Sequence, residues 1–484
     1  MGWDLVVILV VPGVVGVACW WLPPRVGRPL SIASGLLTFV LALLLVPART
    51  PSALHGWLRA DSLSVVFVVA VGFLYLATMV FAVGYLHPSG GPTHQARYLR
   101  RAFAGLNVFC WAMAVAPLVS SLALLWVAIE ITTVVSALLV AIDDTDGATE
   151  AAWKYVLIAS MGLGISLLAT IVVYYAGAVT IGHDYDLFYP TLLAAASRFP
   201  PQVVRLAFVL AVLGFGTKVG LVPVHTWLPD AHSEAPTPVS ALLSGALLAV
   251  SFYAVLRYFQ VAVRTLGPTF PRDVLLAFGL ASLGLAALYL ASQRDLKRLL
   301  AYSSIEHMGI LAIGMSFAAP IAVVGVLLQV LAHAAAKGTA FFGAGSVVRK
   351  YGTKDMRHIR GGIGALPWSG PMLVLAVLAL SGMPPFGIFR SEFLIVEGGL
   401  SDPHDAVVAV LVVLVVLAFL GLSWFSTKTM QTPTPKSVVR GETSKWIVGS
   451  MVIGVVALTV LGVHPPGQLS DLLTRAAAEL RAPR

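Results

Sequence analysis

The chain has 484 residues, of which 58% are hydrophobic and only 11% charged, with a mean hydropathy of +0.90 and a formal net charge of +9. No soluble domain of this size hides so much apolar surface, and apolar runs of ~20 residues, the length that crosses a ~30 Å hydrocarbon core, recur throughout. A water-soluble enzyme is excluded, and the positive balance reads as basic loops on one membrane face instead of a nucleic-acid footprint.

The fold class expected is an all-α polytopic membrane protein. In chain order the predicted spans are 3–22, 29–47, 62–85, 103–119, 120–142, 151–180, 203–222, 239–262, 274–292, 297–317, 321–347, 364–400, 405–426 and 445–463, fourteen if 364–400 is one interrupted helix. The first run carries Asp4 in place of a basic flank and has no small-residue cleavage site, so it reads as a retained helix and not a signal peptide. Cys19 and Cys110 are the only cysteines. Both fall in predicted spans and exclude an iron–sulfur cluster or structural zinc held by this chain alone.

Basic residues sort by loop. Arg25 and Arg28, then Arg97, Arg100 and Arg101, then Arg294, Lys297 and Arg298, share one side with Arg349 to Arg360 and with Lys428 to Lys445. The opposite loops offer mainly Arg49, Arg59, Arg198, Arg205, Arg264 and Arg272. The positive-inside rule puts the first group in the cytoplasm of a bacterial-type plasma membrane and both termini outside.

Ionisable residues at hydrocarbon depth are costly and mark ion pathways. Glu130 sits mid-span in LALLWVAIEITTVVSALL and Lys218 in GFGTKVGLVPVHTW. The plain structural readings are a carboxyl bonded to a neighbouring helix and an inter-helix ion pair. Lys154, in AAWKYVLIAS, is placed one turn into its span, where a snorkelling interfacial lysine is the alternative. Glu306 and His307 are adjacent, so they point to different sides. His333 and Lys337, four apart, share one helix face, with simple helix packing as the competing reading. Glu392, two residues after Arg390, offers an exit-side carboxyl or an interfacial ion pair.

The chain holds 22 Arg and nine Lys, yet the bases assigned to spans are Lys154, Lys218 and Lys337. Arginine does not deprotonate in practice, whereas a buried lysine does so readily, so this choice argues that protons come off. The segments around Lys218 and Glu392 are both interrupted by prolines, Pro223, Pro236 and Pro238 in the first and Pro384 and Pro385 in the second. Paired broken helices point to an inverted-repeat transporter with its ion path at the break. No phosphate-binding glycine loop, nucleophile elbow or HExxH is present, so the residues suggest neither cofactor nor metal.

KVGLVPVHTWLPDAHSEAPTPVSALLSG (218–245) resembles the hallmark of the antiporter-like, proton-conducting subunits of respiratory complex I and its relatives. DLKRLLAYSSIEHMG (295–309), HAAAKGTAFFGAG (333–345) and SGMPPFGIFRSEF (381–393) match further blocks. The SSIEHMG and LLSG variants, with Glu392 in the twelfth span, look most like component F of hydrogenase-4 and the membrane arm of group 4 nickel–iron hydrogenases. The resemblance implies helices 1–3 over 1–102, inverted five-helix repeats over 103–262 and 263–426 with breaks in spans 7 and 12, and a last loop, helix and tail over 427–484.

It also implies that Glu130 and Lys218 form a partner pair and that the proton path runs through Lys154, His225, Glu306, His307, His333, Lys337 and Glu392. Relatives carry His or Lys in span 8, where SALLSGALLAVSFY offers only Ser244 and Ser251. Implied partners are other membrane-arm subunits, hydrophilic redox subunits and the lipid bilayer, with protons or sodium as the moving ion. A multisubunit sodium/proton antiporter subunit and a non-pumping scaffold are the alternative functions.

Overall fold

The protein is described here from a computed structural model covering residues 2–48, 50–88, 90–317, 319–402 and 404–481; Arg49 lies outside the described residues. The chain opens with α1 (Gly2–Trp21) and α2 (Pro24–Leu44). A two-stranded hairpin follows, β1 (Ser52–Ala53) against β2 (Leu58–Arg59), with Ser52 opposite Arg59. Then come α3 (Ser62–Tyr85), α4 (Pro92–Val115), α5 (Leu122–Val140), α6 (Asp146–Ile181) and the short α7 (Tyr189–Ala195).

α8 (Pro201–Val219) stops at Gly220, whose φ of +84° glycine adopts without strain. The chain resumes as α9 (Trp227–Glu234), and α10 (Thr237–Leu242) then runs through a π-helical turn at Leu243–Leu247 into α11 (Leu248–Leu266). Next are α12 (Thr269–Leu290), α13 (Leu296–Ser316), α14 (Pro320–Tyr351) and α15 (Gly362–Ala365). α16 (Ser369–Leu380) and α17 (Gly387–Leu400) flank a second break that holds Pro384 and Pro385. α18 (Asp405–Phe425) ends in a π-helical turn at Ser426–Met430, before α19 (Lys445–Val463) and α20 (Gly467–Glu479).

Eleven described helices, counting α10 with α11, are long and apolar enough to span a bilayer. α4 and α13 match them in length but carry basic ends, and α16 with α17 makes one broken pass. Together these are the fourteen expected passes. α4 begins at Pro92, well before the expected start at 103. Arg97, Arg100 and Arg101 therefore extend the helix instead of forming a loop, as a good helix former with a snorkelling side chain allows.

Burial separates the centre from the rim. Every residue from Thr237 to Val263 is buried, and α14 is buried for most of its length, whereas α1 and α18 expose most of theirs. Polar groups on the central helices therefore face protein, never lipid. Glycines set the closest contacts. A Cβ on Gly162 of α6 would sit 2.9 Å from the Gly214 carbonyl of α8, and one on Gly279 of α12 would sit 2.9 Å from the Gly309 carbonyl of α13. Both pairs bring backbone against backbone, as small residues do between membrane helices.

α20 was expected only as tail. It is amphipathic and returns across the bundle, where the Glu479 carboxylate accepts hydrogen bonds from the Ser62 and Leu63 amides at the start of α3, at 3.0 and 3.1 Å. Beside it Asp61 caps Ser64 and pairs with Arg257 at 2.7 Å. Arg257 lies within α11 and is only 2% exposed. This corrects the expectation that every base within a span is lysine: an arginine is buried too, where a permanent charge meets a permanent partner.

Candidate functional site

In the first half, Lys218 comes from the last turn of α8, just before the break, and is fully buried. Its ammonium donates to Thr133 Oγ1 on α5 at 3.0 Å and to the Tyr155 hydroxyl on α6 at 2.5 Å, and lies 4.8 Å from the Tyr155 ring centroid. Tyr155 also bonds to Ser136 at 2.8 Å and packs on Trp227 at 4.5 Å between centroids. The Trp227 indole in turn donates to the Thr217 carbonyl at 2.7 Å, covering one group freed where α8 ends.

Glu130 makes no direct ion pair with Lys218. It is half-buried on α5, one turn before Thr133, and its Oε2 is buried with no hydrogen-bond partner among the described residues. Hydroxyls thus occupy the lysine, while the carboxylate remains close enough for the charges to interact. Lys154 points the other way: half-exposed, it pairs with Glu150 at 2.5 Å and Asp230 at 3.5 Å. Its geometry is that of an interfacial ion pair, since a rotation of one residue along α6 separates it from Tyr155 by ~100°. His225 lies in the first break, 8% exposed, with no partner for Nδ1 among the described residues. Pro223 falls in that break, while Pro236 and Pro238 set the start of α10.

In the second half, Lys337 is also fully buried; its ammonium donates to the Leu300 carbonyl at 2.8 Å and to the Ser303 hydroxyl, both on α13. Glu306, one turn on from Ser303, is 1% exposed, lies within electrostatic reach of Lys337, and leaves Oε2 without a hydrogen bond. His333, one turn before Lys337, places Nε2 3.3 Å from the Ser244 carbonyl in the π-helical turn. Its ring meets that of His307 edge-on at 5.2 Å.

His307 Nδ1 lies 3.1 Å from Gln329 Nε2 and 3.8 Å from Glu392 Oε1. The Ser391 hydroxyl donates to Gln329 at 3.4 Å. Glu392 is tucked under Gly382, where a Cβ would lie 2.5 Å from its Oε2, and it lines a cavity of about 370 Å³. Glu306 and His307 do point different ways, yet both reach α14 neighbours. One faces Lys337 and the other His333, because α14 runs alongside α13.

Span 8 supplies its serines differently. Ser251 bonds back to Leu247 within its own helix, but Ser244 Oγ meets Ser304 Oγ of α13 at 2.7 Å. The π-helical turn leaves the Ser244 carbonyl free of the regular ladder for His333. Sequence reasoning missed Thr133, Ser136, Tyr155, Ser303, Ser304, Gln329 and Ser391. Only Tyr155 carried a signal, as a polar aromatic in an otherwise apolar span. Among the described residues no three His, Cys, Asp or Glu side chains gather as a metal site would require.

The fold and this buried series of ionisable groups define an antiporter-like, proton-translocating membrane subunit of the complex I-related class. Residues 119–420 match the family described as NADH:quinone oxidoreductase/Mrp antiporter, transmembrane, and the chain belongs to that family. It is 33% identical over 387 residues to a hydrogenase-4 component F homologue of Methylacidiphilum infernorum, covering 78% of this chain and 79% of the relative. Its fold is similar to a chain of respiratory complex I from Thermus thermophilus, with TM-score 0.82, 22% identity, and 98% of this chain and 99% of that one covered. It is also similar to a chain of the Mrp complex from Dietzia sp. DQ12-45-1b, with TM-score 0.83, 20% identity, and 99% and 98% covered.

Proposed function

We propose that this subunit carries protons across a bacterial-type plasma membrane, with both termini outside, as part of the membrane arm of a group 4 hydrogenase or a closely related respiratory complex. The likeness to a hydrogenase-4 component F homologue supports the assignment of complex. The clustering of basic residues at one end of the bundle supports the orientation.

The observation that carries the reading is the environment of the two central lysines. Both are fully buried, and both are held by a neutral hydroxyl instead of a carboxylate. An ammonium desolvated in this way releases its proton when a nearby negative charge withdraws. Two charges 4 Å apart interact by ~4 kcal/mol at an effective dielectric of ~20, enough to switch a lysine between its two forms. Glu130 supplies such a charge for Lys218 and Glu306 for Lys337, and both carboxylates keep an oxygen free. Protonation of Glu130 would release the Lys218 proton through Tyr155 and Thr133. The second half would pass a proton from Lys337 by way of His333 and His307 to Glu392, with Ser244 and Ser304 taking the place of the ionisable group other relatives place in span 8. The breaks beside Lys218 and Glu392 sit at corresponding places in 103–262 and 263–426, which this reading takes as inverted repeats.

The test is Lys218→Ala in the assembled complex, followed by acidification of inverted membrane vesicles with a ΔpH dye. Pumping is lost while subunit content on native gels is unchanged. Pumping at the unaltered rate would reject the reading, and a loss of assembly with Lys218→Ala but not with Lys218→Met would favour a scaffold. Pumping that requires sodium in the medium would favour the antiporter alternative.

A further inference from the structure

We infer that the cleft between the end of α12, the π-helical end of α18 and the loop after α14 binds an anionic glycerophospholipid. The cleft has a volume of about 760 Å³ and is walled by four cations, Arg294, Arg357, Arg360 and Lys428, with no carboxylate in its lining. Its floor is apolar, formed by Leu290, Leu299, Ile359 and Phe425. One cation is already engaged: Arg357 Nη2 lies 2.6 Å from Asp355 Oδ2. Arg294, Arg360 and Lys428 make no ion pair among the described residues, although each stands in reach of the same space.

The local backbone builds this site. The π-helical turn at Ser426–Met430 carries Lys428 and sets its ammonium 4.6 Å from the Trp424 ring centroid at the mouth. Such turns are rare and concentrate at functional sites. The loop carrying Arg360 is tied down on its far side, where the Tyr351 hydroxyl donates to the Arg360 carbonyl at 2.5 Å and Thr434 donates to Gly361 at 2.8 Å. The guanidinium groups therefore project from a braced backbone.

Charge and apolarity together select the ligand. Guanidinium and ammonium groups take a phosphate by charge-assisted hydrogen bonds. A free phosphate leaves the apolar floor bare, and an acyl chain fills it. Trp424, 63% exposed at the mouth, is the kind of residue found at the level of lipid headgroups. Basic pockets between membrane helices on the positively charged face are where anionic headgroups lodge.

The full chain, purified from its membranes with the subunits it carries and then delipidated, tests this. Thermal unfolding is followed while dioleoylphosphatidylglycerol, dioleoylphosphatidylcholine or inorganic phosphate is added. Phosphatidylglycerol alone should raise Tm, and the combined Arg294→Gln, Arg360→Gln, Lys428→Gln variant should need ~10-fold more of it for the same shift. The combined Arg97→Gln, Arg100→Gln, Arg101→Gln variant, which removes as many charges elsewhere on the same face, should respond as the unaltered protein does. An equal response to phosphatidylcholine, a response reproduced by inorganic phosphate, or an unchanged response in the first variant would each overturn the inference. If that variant fails to fold, Lys428→Gln alone, at an exposed position, must weaken the phosphatidylglycerol response severalfold, and an unchanged response overturns it equally.

Discussion

The surroundings of Lys218 and Lys337 share a plan and differ in reach. Each lysine is buried and hydroxyl-bound, and each has a carboxylate one helical turn from that hydroxyl: Thr133 with Glu130 on α5, Ser303 with Glu306 on α13. The first site ends there, with a half-buried carboxylate at its edge. The second continues through His333, His307, Gln329 and Glu392 to a cavity beside the second break. One half is built to switch a charge, and the other to pass the consequence onward. Arg257 supplies the contrast: a cation just as deep, but locked to Asp61 and hydrogen-bonded to Tyr253 and Gln260. A buried base with a carboxylate in contact holds structure together, whereas one with only hydroxyls in contact remains free to titrate.

The largest effect that would sharpen this contrast is in Arg257→Gln. Removing one partner of a buried ion pair costs ~3–5 kcal/mol, so the subunit should be lost from the membrane or melt far lower in detergent. Normal abundance and Tm would break the distinction between structural and titrating bases. Next, Lys218→Arg should leave abundance unaltered yet abolish vesicle acidification, because guanidinium keeps its proton. Retained pumping would show that charge alone is needed at that site.

Tyr155→Phe keeps the ring against Trp227 but removes the hydroxyl that Lys218 contacts. A hydrogen bond to a charged group is worth ~1.5–3 kcal/mol, so acidification should slow ~10-fold or more, with Tm little changed. A rate equal to that of the unaltered complex would remove Tyr155 from the path. Smallest of all, Ser251→Ala breaks only a bond within its own helix and should shift stability by ~0.5 kcal/mol or less, whereas Ser244→Ala should slow acidification severalfold. Equal effects of the two serine variants would deny the Ser244–Ser304 contact its role.

Much of the fold was legible because bilayer length and apolarity impose themselves residue by residue. The fourteen passes follow from runs of apolar residues, and both breaks were visible as Pro223 and Pro384–Pro385 inside apolar stretches. α20 was missed because its amphipathic run is too short and too polar to register as a span. Arg257 was missed because its neutraliser, Asp61, lies almost two hundred residues earlier. Lys154 and Tyr155 show the limit most clearly: they are neighbours in the chain, and the one that looked functional faces the interface while the other touches Lys218.

What the sequence by itself determined is that titratable side chains are stranded at membrane depth in a multi-pass helical protein, since the cost of placing charge in hydrocarbon depends only on where along each span the residue falls. What only the tertiary structure decided is which of these groups meet. Contact is set by helix rotation and by the close glycine approaches at Gly162–Gly214 and Gly279–Gly309. Those contacts put hydroxyls, and not Glu130, against the Lys218 ammonium. They join residues far apart in the chain, so no local pattern encodes them.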